Sequence, residues 1–185
     1  MSDNKLTVAI LVGSLRAASV NRQLAEVAVE NLPAGVSASI VDGLGGLAFY
    51  NEDIDVEGSL PAGVAELREA VAAADAVLLV TPEYNGTLPA VLKNAIDWLS
   101  RPFGAGAMGG KPVGVIGAAM GQYAGTWSRQ DTRKSVGIAG GRVVEDVEVG
   151  LITGKLDDAG VRSEAIVGQV TEALRVLVDS VAVAA

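Results

Sequence analysis

The sequence predicts an α/β fold: a five-stranded parallel sheet in order 2-1-3-4-5, doubly wound, with helices on both faces. Three observations predict it. Short continuous apolar runs recur along the chain, as expected of strands buried on both faces. Segments with apolar residues at helical spacing alternate with them. Right-handed crossovers then lay the helices on both sides of the sheet.

Leu6–Val12 (LTVAILV) reads as the first strand. Ser19 to Leu32 follows as a helix, with Val20, Leu24, Val27 and Ala28 recurring at its period and Pro33-Ala34-Gly35 ending it. Val36–Asp42 alternates as the second strand, and residues 43–60 show no regular period. Pro61–Ala74 is helical, with Val64, Leu67 and Val71 on one face, and Ala76–Thr81 (AVLLVT) is the third strand. Pro89–Ser100 carries the helical stripe Leu88, Leu92, Ile96 and Leu99. Lys111–Ala118 is the fourth strand, followed by a weakly periodic helix from Ala124 to Val136. Arg142–Val149 is the fifth strand, and Ser163–Ala182 is a closing helix with Ile166, Val170, Leu174 and Leu177. No internal repeat or linker divides the chain, so residues 1–185 read as one flavodoxin-like domain. Such sheets bind ligands outside the carboxyl ends of their strands, at the switch point between strands one and three. Loops 13–19, 81–89 and 117–126 are therefore the candidates.

Composition narrows the chemistry. The chain is 50% hydrophobic and 19% charged, the balance of a soluble globular protein. It has no Cys and no His, which excludes thiol nucleophiles, Cys or His metal sites and His-based triads. A formal net charge of −8 argues against nucleic acid or an anionic membrane as partner. An anionic ligand would need a locally built site, such as a helix amino terminus. The apolar start is short and lacks the pattern of a signal peptide, and no stretch is long enough to span a membrane. The expected location is the cytoplasm.

The first candidate loop packs Gly13, Ser14, Arg16, Ser19 and Asn21 into one turn. Gly13 suits a tight exit from the strand, and Ser19 is a sensible N-cap. The Ser14 and Ser19 hydroxyls, the Arg16 guanidinium and the Asn21 amide could surround a phosphate; the alternative is a capped turn with one solvated arginine. In the second loop, Glu83, Tyr84, Asn85 and Gly86 follow Pro82 and precede Pro89. A planar ligand could lie against Tyr84 there, or the Asn-Gly pair could simply supply a positive-φ turn.

GSLRAASVN at 13–21, PEYNGTLPAVLKNAIDW at 82–98 and FYNED at 49–53 resemble the NADPH-dependent FMN reductase and quinone reductase family over nearly the whole chain. The resemblance implies that Ser14, Arg16, Ser19 and Asn21 hold the FMN phosphate. It implies that Pro82, Glu83, Tyr84, Asn85 and Gly86 cradle the isoalloxazine and ribityl chain. Relatives often carry Gly-Gly-x-Arg in the third loop, where this chain has Ala124-Gly125-Thr126-Trp127. Gly125 and Trp127 are thus placed at the cofactor, with Trp127 either beside the flavin or plugging a core gap. The resemblance further implies FMN as cofactor and NADPH or NADH as co-substrate. Hydride would pass at flavin N5 to a small acceptor such as a quinone or a flavin, with no obligatory acid or base. Tyr84 would lie near the substrate. A homodimer or homotetramer is implied too, with Tyr50, Trp98 and Phe103 as aromatic residues near the site-bearing loops. Two alternatives share the fold: a flavodoxin-type electron carrier without turnover, and a reductase that releases reduced FMN to a monooxygenase.

Other motifs read as decoys. GLGGLA at 43–48 matches a dinucleotide fingerprint, but no helical pattern follows it. Glu52, Asp53 and Asp55 lack His or Cys partners and read as a solvated loop. Arg129, Asp131, Arg133 and Lys134 read most simply as a solvated helix face, or as attraction for the NADPH phosphate.

Overall fold

A computed structural model describes residues 5–182. Its five strands are β1 (Leu6–Val12), β2 (Val36–Val41), β3 (Ala76–Val80), β4 (Pro112–Ala119) and β5 (Arg142–Ile152). They form one parallel sheet in the order β2-β1-β3-β4-β5, as the alternation of strands and helices predicts. The helices are α1 (Val20–Glu30), α2 (Val64–Ala72), α3 (Ala90–Leu99), α4 (Thr126–Ile138) and α5 (Glu164–Ala182). No helix among the described residues is long and apolar enough to cross a membrane.

The period of two in the central strands sorts their side chains into two cores. Val8, Ile10 and Val12 of β1, with Leu78 and Val80 of β3, pack against Leu24 and Val27 of α1 and Val170, Leu174 and Leu177 of α5. Ala9 and Leu11, with Val77 and Leu79, pack on the other face against Leu67 of α2, Leu92 and Trp98 of α3 and Val136 of α4. β1 and β3 are therefore apolar at nearly every position, which is why they read as unbroken runs.

The irregular segment 43–60 contains two 3-10 turns, Leu44–Gly46 and Glu52–Ile54. It is tied to α3: the Trp98 indole and the Asn94 amide both donate to the Ala48 carbonyl, at 2.8 and 3.0 Å. Arg68 of α2 holds Asp55 through two hydrogen bonds of 2.8 Å. Of the acidic trio read as solvated, Asp55 is thus an ion-pair partner, and Arg68 keeps its carboxyl below the usual carboxylate range against the opposing effect of burial.

β5 runs beyond the expected Val149 to Ile152 because it bulges. Val113 pairs with Val143 but Val115 pairs with Glu148, so residues 144–147 loop out against Gly114 alone. Arg133 of α4 closes the gap, donating to the carbonyls of Val115 and Val147 at 3.3 and 2.9 Å. Arg129 and Arg133 both pair with Glu148. This corrects the reading of that helix face as solvated: Arg129 is 4% exposed, and both guanidinium groups are engaged.

Candidate functional site

The loops after β1, β3 and β4 meet at the carboxyl edge of the sheet. Gly13 leaves β1 so close to α3 that a Cβ there would stand 2.8 Å from Pro89 Cγ and 3.1 Å from Pro82 Cδ. The first loop is thus pressed onto the start of the second. The main-chain amides of residues 14–18 donate to no other main-chain group among the described residues. Ser19 then caps α1, its Oγ accepting from the Arg22 amide at 3.3 Å. Arg16 is exposed and reaches only the Ala18 carbonyl, at 3.5 Å. Free amides, a helix amino terminus and an uncommitted guanidinium therefore share one turn.

Asn21 stands apart from these. It is 4% exposed, and both ends of its amide pair with the main chain of Ala118, Nδ2 to the carbonyl at 2.9 Å and Oδ1 from the amide at 2.8 Å.

In the second loop, Tyr84 and Thr87 exchange main-chain hydrogen bonds of 3.1 and 3.2 Å. Asn85 and Gly86 lie between them at φ 52° and 77°, a two-residue hairpin in which both central positions need positive φ. The hairpin is pinned to α4 by the Thr87 hydroxyl, which donates to Asp131 at 2.6 Å. Below it, the Thr81 and Ser128 hydroxyls lie 2.7 Å apart, and Ser128 Oγ donates to the Pro82 carbonyl at 2.7 Å. Glu83 accepts from the Ser128 amide at 3.2 Å, placing a carboxylate on the first turn of α4, where the helix dipole favours it. The amides of Asn85 and Gly86 make no main-chain hydrogen bond among the described residues.

Gly125, at φ 72°, is the N-cap position of α4. Trp127 is 49% exposed, so it does not plug a core gap. Its ring lies 5.0 Å from that of Tyr123, and a Cβ on Gly86 would touch it at 3.9 Å.

Between the first two loops lies an open cavity of about 400 Å³, lined by Gly13, Leu15, Arg16, Tyr84, Pro89, Ala90 and Val91. Of the residues singled out in the sequence, it brings Arg16 and Tyr84 together. Glu83 and Asn21 hold the surrounding framework, and Gly125 and Trp127 lie on the α4 side of the hairpin. Leu15 and the start of α3 were missed; an apolar Leu inside an otherwise polar turn was the available signal. A larger cavity, of about 860 Å³, lies at the opposite edge, between the carboxyl ends of α3 and α4, with Phe103 and Ile138 on its rim. Phe103 is therefore remote from the site-bearing loops, and Trp98 is fully buried. Among the described residues, no cluster of acidic side chains could hold a metal.

Comparison with known proteins identifies the family. A 2-hydroxy-1,4-benzoquinone reductase from Burkholderia sp is 45% identical over 116 residues, 63% of this chain and 62% of that protein. A quinone reductase from Pseudomonas putida is 42% identical over 130 residues, 70% of this chain and 69% of its own length. Among solved structures, the flavoenzyme NAD(P)H:(acceptor) oxidoreductase FerB from Paracoccus denitrificans superposes with a TM-score of 0.84 at 29% identity, covering 96% of this chain and 97% of FerB. The model of the NADPH-dependent FMN reductase family matches residues 6–155, from the first residue of β1 through β5 and the turn after it, and the chain belongs to that family.

Proposed function

We propose that this protein is an FMN-dependent oxidoreductase that draws hydride from NADPH or NADH and delivers it to a small acceptor, a quinone in the first instance. One observation carries the reading: a turn with free amides and an exposed arginine faces an aromatic hairpin across a single cavity at the switch point of the sheet. The fit to FMN is chemical as well as spatial. Arg16 and the amides of residues 14–18 offer donors to a phosphate. Ser19 Oγ accepts from Arg22 and so keeps its own proton for a phosphate oxygen. Tyr84 supplies a face for a planar ring, and the amides of Asn85 and Gly86 supply donors for its polar edge.

FMN, when bound, supplies the capacity to take up and return hydride at N5. The protein's part is to bind, orient and exclude. Glu83, Thr81, Ser128 and Asp131 fix the hairpin so that Tyr84 is held in place rather than swinging with a free loop. Tyr123 and Trp127, each about half exposed and with ring centres 5.0 Å apart, form an aromatic wall on the α4 side of the hairpin, suited to a flat, uncharged acceptor. We assign the protein to the cytoplasm, where reduced nicotinamides are supplied, and to a homo-oligomer, for which the exposed Phe103 and Ile138 are the best contact residues.

The test is spectroscopic and kinetic. The purified protein is expected to show flavin absorbance, or to acquire it with added FMN, and to oxidise NADPH or NADH with a small quinone. Protein that takes up no FMN overturns the proposal. Flavin-loaded protein without turnover makes it a flavodoxin-type carrier. Turnover with free FMN that is lost on gel filtration makes it a reductase that releases its flavin.

A further inference from the structure

Asn21 is the second residue of α1, and its amide bonds to Ala118 in β4, a residue 97 positions away. The geometry of the sheet explains the pairing. Thr81 donates to the Ile116 carbonyl, so Ile116 presents its main chain to β3. Ala118, two residues on, presents its own main chain to the same side. β3 has ended by then: beyond Val80 the chain turns at Thr81 and Pro82 into the hairpin and does not continue the ladder alongside Ala118. The Asn21 amide, a donor and an acceptor with the spacing of a peptide group, stands where the next residue of β3 would have been. Without it, a buried N–H and a buried carbonyl would lose their partners.

The consequence reaches the site. Asn21 joins the amino terminus of α1 to the root of the loop that leads into α4. The sequence resemblance groups it with the phosphate contacts, yet both of its polar atoms face β4. We propose that Asn21 is a positioning residue: it locks the phosphate turn to β4 and does not itself contact the phosphate. This rests on the FMN reading above. Side-chain chemistry explains the choice of Asn. Asp would set a second acceptor against the Ala118 carbonyl, and Ser or Ala cannot supply both bonds.

The experiment separates a phosphate contact from a clamp by pairing titration with FMN and with riboflavin, which lacks the phosphate, with amide exchange at Ala118. Protein freed of flavin is titrated with each, following flavin fluorescence. Arg16→Ala is expected to weaken FMN by about tenfold or more and leave riboflavin unchanged, because a charge-assisted bond to the phosphate is lost. Asn21→Ala is expected to weaken FMN several-fold and riboflavin much less, because the released turn presents its amides and Arg16 less well to the phosphate. Asn21→Ala that binds FMN as tightly as the parent, or that loses FMN affinity while exchange at Ala118 stays slow, overturns the proposal. Asn21→Ser, which keeps a polar side chain in the buried position, provides the same comparison if Asn21→Ala fails to fold. Amide hydrogen exchange gives a second readout. Exchange at Ala118 is expected to quicken in either Asn21 variant and to stay slow in Arg16→Ala; unchanged protection in the Asn21 variants overturns the clamp. If the parent protein binds neither flavin, the FMN reading falls, and the exchange at Ala118 decides the clamp by itself.

Discussion

Replacing Gly13 by Ala tests the contact on which the cavity is built. The added Cβ would stand 2.8 Å from Pro89 Cγ, 3.1 Å from Pro82 Cδ and 3.3 Å from Leu92 Cβ, where ordinary contact begins at 3.4 Å. Neither proline ring has a flexible end to swing away, and Leu92 is fully buried. The turn cannot lift freely either, since the Gly13 amide donates to the Val80 carbonyl at 2.9 Å. Overpacking of this kind costs about 1–3 kcal/mol. At about 2–4 °C per kcal/mol for a chain of this size, Tm should fall by roughly 2–12 °C. Thermal unfolding of flavin-free protein is the assay, with Gly154→Ala as control, because a Cβ there meets nothing within 4 Å. The same displacement parts Gly13 from Pro89 across the cavity, so FMN affinity should fall in Gly13→Ala and not in the control. Gly13→Ala unfolding at the parent temperature with unchanged FMN affinity would refute the claim that this approach shapes the site.

Three further outcomes follow from the surrounding geometry. Burial alone would raise the Glu148 pKa, but Arg129 and Arg133 outweigh it and hold the carboxyl below its ordinary 4.5. That stabilisation is present above pH 4.5 and is lost as pH falls through the lower folded value, so Glu148→Gln should differ most from the parent at neutral pH and converge with it in acid. Since the Glu148 side chain is 55% exposed, the neutral-pH difference should be only about 1 kcal/mol by urea unfolding. Asn85→Gly should leave the hairpin intact, whereas Asn85→Val, forced to φ 52°, should cost about 1–2 kcal/mol and weaken FMN binding. Trp127→Arg should shift kcat/KM from neutral quinones toward anionic acceptors such as ferricyanide, and an unchanged ratio would remove Trp127 from the acceptor wall.

The motifs were legible because each is local. An apolar run between polar loops can be read without its neighbours, and so can the positive-φ demand of Asn85-Gly86. The reach of long side chains was not. Arg129 and Arg133 carry the signature of a solvated helix face, and only the bulge of β5 turns Arg133 into a ladder-closing donor and brings Glu148 to both. Trp98 looked available for a subunit contact, yet segment 43–60 folds over it and gives its indole a carbonyl partner. Asn21 sits inside a motif whose arginine is exposed and whose serines lie in the turn and at the helix cap. Its spacing contains nothing about a strand that begins some ninety residues later.

By itself the sequence determined the order of the strands, the edge of the sheet where a ligand can bind, and the loops that present it. Those follow from periodicity, chirality and turn chemistry, which act between near neighbours in the chain. The tertiary structure decided which side chains of those loops are free for a ligand and which are spent on the frame. Arg16 and Tyr84 line the cavity, while Glu83 holds α4 and Asn21 holds β4. The physical reason is that a buried N–H or carbonyl must find a partner, and at the ends of strands that partner comes from wherever the fold brings one within 3 Å.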